Sequence, residues 1–71
     1  MRKLIPTVTP RELEVLALIA QGQTFQQIGD ILGIATQTAK AHARSIRNKL
    51  RAKNRSHAIM LAMRRGLILE C

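Results

Sequence analysis

Phe25-Gln26-Gln27-Ile28-Gly29-Asp30-Ile31-Leu32, then Gly33-Ile34-Ala35, then Thr36-Gln37-Thr38-Ala39-Lys40-Ala41-His42-Ala43-Arg44 is the stretch whose reading decides the fold. Its first eight residues bring Phe25, Ile28, Gly29 and Leu32 onto one helical face. Thr24 stands before them as a hydroxyl N-cap with Gln27 at N3, the pairing that satisfies two orphan amides reciprocally. Gly33 then offers a left-handed stop without a Cβ penalty, and Ile34 can tuck beneath the turn. From Thr36 onward Ala39, Ala43, Ile46 and Leu50 fall on one side, while Gln37, Lys40, Ala41, Arg44, Arg47 and Asn48 take the other. The reading is a short helix over 25–32, a join of about three residues, and a longer helix over 36–51 that is apolar on one face and cationic on the opposite one.

Working outward, Thr9-Pro10-Arg11-Glu12 places a hydroxyl at N-cap, proline at N1 and a carboxylate at N3, which predicts a helix over 10–21 stopped by Gly22. Asn54 is a good N-cap for a helix over 55–65 carrying Ala58, Leu61 and Ala62 in one line, with Gly66 closing it. No segment alternates with period two for long enough to make a strand, and no internal repeat is visible. The expected class is all-α, a four-helix helix-turn-helix domain over 9–71 behind a loose lead-in over 1–8 that contains Pro6.

Seventy-one residues leave room for one small core and no second domain. The charge is +8, with twelve Lys and Arg against four Asp and Glu, which favours nucleic acid or an anionic membrane surface as partner. The basic residues are not spread evenly. Nine of the twelve lie between Lys40 and Arg65, and no Asp or Glu occurs from Ile31 through Leu69. Glu12 and Glu14 sit at the start of the first helix, where its positive dipole end explains them. The longest apolar runs, Val15 to Ala20 and Ala58 to Met63, are six residues each, whereas a bilayer span needs about 20. A lone cysteine at Cys71 supports neither a disulfide nor a cysteine-based metal framework, so a bacterial-type cytoplasm is expected.

A solvated helix face is the plain explanation of a basic run. Here the charges share the face opposite the apolar stripe, and their helix follows a tight glycine-containing turn. Its first exposed turns also mix Gln and Lys with small Ala. A major groove about 12 Å wide admits one such helix. Lys40 and Arg44 lie about one helical turn apart on that exposed side. His42 lies at the edge of the apolar stripe with no second ligand at metal spacing, and His57 reads as a surface or capping residue. Ile59, Met60 and Met63 flank the buried line of the last helix, giving it more apolar surface than one core contact needs; they either fill gaps in a small core or face a partner. Acids and histidines are scattered without base, nucleophile or ligand geometry, so an enzyme is not expected, nor a cofactor or a metal. A cationic membrane-surface helix fits the charge but leaves the capping boxes and the glycine turn unexplained.

The order of residues resembles the LuxR-type, or GerE-like, DNA-binding domains. The likeness begins with Val8-Thr9-Pro10-Arg11-Glu12-Leu13-Glu14-Val15-Leu16 and continues through Ile19-Ala20-Gln21-Gly22, Ile28, Leu32-Gly33-Ile34 and Thr38-Ala39-Lys40-Ala41-His42. It closes with Lys49-Leu50, Asn54-Arg55, Ala58 and Arg65-Gly66-Leu67-Ile68, covering about residues 8–68 in order. The resemblance implies a sequence-specific regulator of transcription that binds double-stranded DNA at promoters, a helix-turn-helix built from the second and third helices, and a homodimer through the last helix. Position by position it puts base reading on Lys40, Ala41 and Arg44. It puts phosphate contacts on Gln26, Gln27, Thr36, Gln37, Thr38, Arg47, Lys49 and Arg55, and the dimer interface on Ile59, Met60 and Met63. RNA polymerase or a larger LuxR-type regulator are the further partners expected, the bacterial nucleoid the expected place, and a small module that pairs with such a regulator the alternative activity.

Four positions depart from that pattern. Ala35 replaces the usual serine before the reading helix, a loss of about 1 kcal/mol unless Thr36 caps one residue later. Ala39 is a smaller core plug than the usual valine. Arg51 stands where glycine is frequent, which predicts a third helix without a left-handed end. Gly29 replaces alanine, which is expected to soften the second helix by up to about 1 kcal/mol.

Overall fold

The computed structural model describes residues 8–68. Residues 1–7 of the lead-in expected over 1–8, residues 69–71 and with them Cys71 lie outside the described residues. Among the described residues four helices follow one another without a strand: α1 (Pro10–Ala20), α2 (Phe25–Leu32), α3 (Thr36–Lys49) and α4 (Arg55–Arg64). The class expected from periodicity is the one found, and the starts of α1, α2 and α4 fall where their caps put them.

The starts of α1 and α2 are both capping boxes. Thr9 accepts from the Glu12 amide while the Glu12 carboxylate accepts from the Thr9 amide. Thr24 and Gln27 repeat the exchange at 3.1 and 2.8 Å. α4 opens on Asn54, whose side-chain oxygen accepts from the His57 amide, and His57 Nδ1 in turn accepts from the Lys53 amide at 3.0 Å. His57 is therefore a capping residue. α3 differs: Ala35 occupies its N-cap in an extended conformation and makes no side-chain hydrogen bond, so Thr36 does not take over the cap.

The end of α3 corrects an expectation. The helix stops at Lys49, two residues short of Arg51, and Arg51 itself adopts φ 58°. Its amide donates to Asn48 O, and the Ala52 amide reaches back to Arg47 O at 3.0 Å. That is a Schellman closure made without glycine, so the left-handed terminus is present and carries a Cβ penalty of about 1 kcal/mol. The orphan carbonyls of α3 needed partners, and that need outweighs the preference of the residue.

Gly29 likewise does more than soften α2. It is buried, and a Cβ built on it would come within 2.6 Å of the Ile34 carbonyl oxygen. The turn into α3 crosses directly over this residue, and the Ile34 amide donates to Gly29 O at 2.9 Å. The missing side chain is what lets the two helices of the motif approach at this point.

α3 is the central element, packed against α1, α2 and α4. One core cluster joins Leu16, Ile46, Leu50, Ala58, Ala62 and Ile68 across α1, α3 and α4, with Val8 packed against it. A second joins Val15, Ile28 and Ala39 across α1, α2 and α3, with Phe25 and Ile34 at its edge. Ala39 is fully buried, so the small plug is accommodated by close approach of the helices. α3 is thus gripped on its inner stripe by every neighbour, and its outer stripe is held rigidly toward solvent.

Candidate nucleic-acid interface

The first turns of α3 are exposed along their outer side: Thr36, Gln37, Thr38, Lys40, Ala41 and Arg44 all face solvent. Helical spacing brings Lys40 and Arg44 together, with Ala41 beside them as a small residue that leaves the surface approachable. Among the described residues neither cation has a carboxylate partner, the ion pairs being Arg11 with Glu14 and Lys49 with Glu12. Because Ala35 supplies no cap, the leading amides of α3 are also without a side-chain acceptor at the exposed tip. Amide donors and the Thr36 and Thr38 hydroxyls therefore share the tip, with Lys40 and Arg44 about one and two turns further along the exposed side.

Arg47 and Arg55 extend this basic face. Arg47 is half-buried on the flank of α3, and Arg55 opens α4 with its guanidinium 5.2 Å from the centroid of the Phe25 ring. Lys40, Arg44, Arg47 and Arg55 together border one groove between α2, α3 and α4. Gln26 and Gln27 lie exposed at the start of α2, though the Gln27 side-chain oxygen is engaged in its own capping box. On α4, Met60 is 46% exposed, while Ile59 and Met63 are half-buried against the main core.

Lys49 is placed differently from the other basic residues of α3. Its ammonium lies 2.9 and 3.0 Å from the two carboxylate oxygens of Glu12. The Ser45 hydroxyl donates to the same carboxylate. Glu12 is only 4% exposed. Burial pushes its carboxyl up, but the Ser45 hydroxyl, the Thr9 amide and the Lys49 ammonium together outweigh burial and hold it below its ordinary value. One carboxylate thus caps α1 and fastens α3 to it at two positions. Capping explained Glu12 from sequence, but its tertiary role was missed. The usable signal was the charge segregation: with no acid between Ile31 and Leu69, any ion pair of α3 with a described residue has to reach Glu12, Glu14 or Asp30.

An exposed cationic helix behind a three-residue turn, held by its inner stripe, defines a helix-turn-helix domain. The comparison with known proteins agrees. The family described as bacterial regulatory proteins, luxR family, matches residues 6–62. The chain belongs to that family. It is 44% identical over 61 residues to the transcriptional activator protein BjaR1 of Bradyrhizobium diazoefficiens, covering 86% of this chain and 25% of that protein. To the transcriptional regulatory protein LiaR of Bacillus subtilis it is 42% identical over 62 residues, covering 87% of this chain and 29% of LiaR. Among solved structures, the transcription factor GerE superposes with a TM-score of 0.86 at 27% identity, covering 94% of this chain and 97% of that one. The Vibrio cholerae VqmA dimer, described as a LuxR-type receptor, superposes with a TM-score of 0.78 at 31% identity, covering 94% of this chain and 32% of that one. The chain therefore spans about a quarter to a third of the curated relatives it matches.

Proposed function

We propose that this chain is a sequence-specific, double-stranded-DNA-binding module of a transcriptional regulator, reading the major groove with α3. The observation that carries the reading is the outer face of α3, where Lys40 and Arg44 stand exposed beside Ala41 with no described carboxylate to neutralise them. Base edges are read by Lys40, Ala41 and Arg44. The duplex backbone is held by Thr36, Gln37 and Thr38 at the tip of α3, by Gln26 and Gln27 at the start of α2, and by Arg47 and Arg55. Lys49 serves the fold first, through Glu12. The module works in the bacterial cytoplasm, on the nucleoid, as a binding protein rather than an enzyme; the transcriptional roles in the names of its relatives support the binding reading.

The module acts as a homodimer on two half-sites, as helix-turn-helix dimers do, and the exposed Met60 with Ile59 and Met63 beside it is the apolar surface of α4 available for pairing. RNA polymerase is the further partner. If a dimer neutralises about six phosphates, log K falls against log salt with a slope of about −5. A mobility-shift titration across salt concentrations checks this, and an affinity indifferent to salt contradicts the electrostatic part. The same assay separates a second use of α4, pairing with a larger LuxR-type regulator: a chain that shifts DNA feebly alone but forms a mixed dimer with that regulator belongs to this second class.

A further inference from the structure

The groove bordered by Lys40, Arg44, Arg47 and Arg55 has a volume of about 250 Å³. Its floor is hydrocarbon, the half-buried Phe25 and Ala43 over the buried Leu16 and Ala58. A duplex makes unequal use of these two chemistries, since backbone phosphates engage cations and donors and gain little from an apolar floor. The floor is continuous with the core, because Leu16 and Ala58 belong to the main cluster and Phe25 packs on the second. The Arg55 guanidinium lies at cation–π distance from the Phe25 ring, so one cation of the rim rests on the aromatic part of the floor.

Charge and size narrow the occupant. No carboxylate lines the groove among the described residues, since Glu12 is bound to Lys49, Glu14 to Arg11, and Asp30 lies outside the lining. A volume of about 250 Å³ is below the range of about 300–1,000 Å³ that whole small-molecule ligands occupy. It suits a single large side chain presented by an extended segment.

We propose that this groove is a docking site for an acidic peptide segment carrying one large apolar side chain. That side chain rests against Phe25 and Ala43 beside the Arg55 guanidinium, and carboxylates on either side of it meet the four cations. Peptide and duplex exclude one another, because Lys40 and Arg44 serve both. The exclusion rests on the DNA reading above, whereas the docking does not. A partner that presents such a segment would silence the module by occupying its reading face.

The test uses the whole chain and two synthetic peptides, one with a phenylalanine flanked on both sides by glutamates, the other with glycine in its place. Calorimetry is expected to find the phenylalanine peptide about tenfold tighter. Amide shifts are expected to be largest at Phe25, Ala43 and Ala58. Equal affinities, or shifts scattered over the basic surface, overturn the docking and leave a merely charged face. Duplex added to the peptide complex is expected to release the peptide. A ternary complex instead overturns the exclusion and the placement of DNA on Lys40 and Arg44, while the docking stands. Duplex binding without any preference between the peptides overturns the docking and leaves the DNA reading intact.

Discussion

Two sides of α3 carry basic side chains and use them in opposite ways. On the outer side Lys40 and Arg44 face solvent without a described carboxylate partner, on a helix whose N-cap makes no side-chain bond. On the side turned toward α1, Ser45 and Lys49 are fastened to the buried carboxylate of Glu12. The difference shows that a basic run is not one feature. A single acid from the first turn of α1 sorts it into cations engaged in holding the helix and cations available to a partner.

Removing that acid is expected to have the largest effect. Glu12→Ala takes the carboxylate away from a partly buried ammonium and also dismantles the α1 capping box, a loss of about 3 kcal/mol by urea unfolding. A loss below about 0.5 kcal/mol, the size of an exposed pair, would mean that the clamp contributes little. The same clamp sets an acid limit. The Glu12 carboxyl is held below its ordinary value of 4.5 in the fold, so its contribution is fully present above that pH and disappears as pH falls through the lowered value. Glu12→Gln is expected to flatten that part of the stability profile against pH.

Gly29→Ala comes next. Inside an ordinary helix the change adds up to about 1 kcal/mol of stability, but here the new methyl meets the Ile34 carbonyl oxygen at 2.6 Å. We expect a net loss of about 1–2 kcal/mol, as for overpacked cores. A rise in melting temperature would show that the turn between α2 and α3 yields easily. The smallest effect is expected at Arg51→Gly, which relieves the left-handed φ of 58° and adds about 1 kcal/mol. Thermal unfolding decides both.

The legible part of this molecule was local. Thr9 with Glu12 and Thr24 with Gln27 write their helix starts in adjacent residues, and Asn54 does the same for α4, so the positions of the helices followed from short-range chemistry. The exposed Lys40, Ala41 and Arg44 followed from helical period against the Ala39 and Ile46 stripe. What escaped depends on residues far apart in the chain. Glu12 reaches Ser45 and Lys49 across separations of 33 and 37 residues, and no period reports that. Gly29 read as a weak helix former because its neighbour is the backbone of Ile34, which has no signature in a list of side chains. Arg51 read as the wrong residue for a left-handed end, yet the closing hydrogen bonds to Asn48 O and Arg47 O impose one.

The central claim is that the leading cations of α3 serve recognition and the trailing one serves the fold. It is tested most directly by measuring melting temperature together with affinity for a preferred and an unrelated duplex in two variants, Lys40→Ala and Lys49→Ala. Lys40→Ala is expected to leave the melting temperature within about 1 °C while losing about 1–3 kcal/mol of discrimination between the duplexes. Lys49→Ala is expected to lower the melting temperature by several degrees and to keep the discrimination. The reverse pattern, with Lys40 needed for folding and Lys49 for sequence preference, would contradict the division of α3.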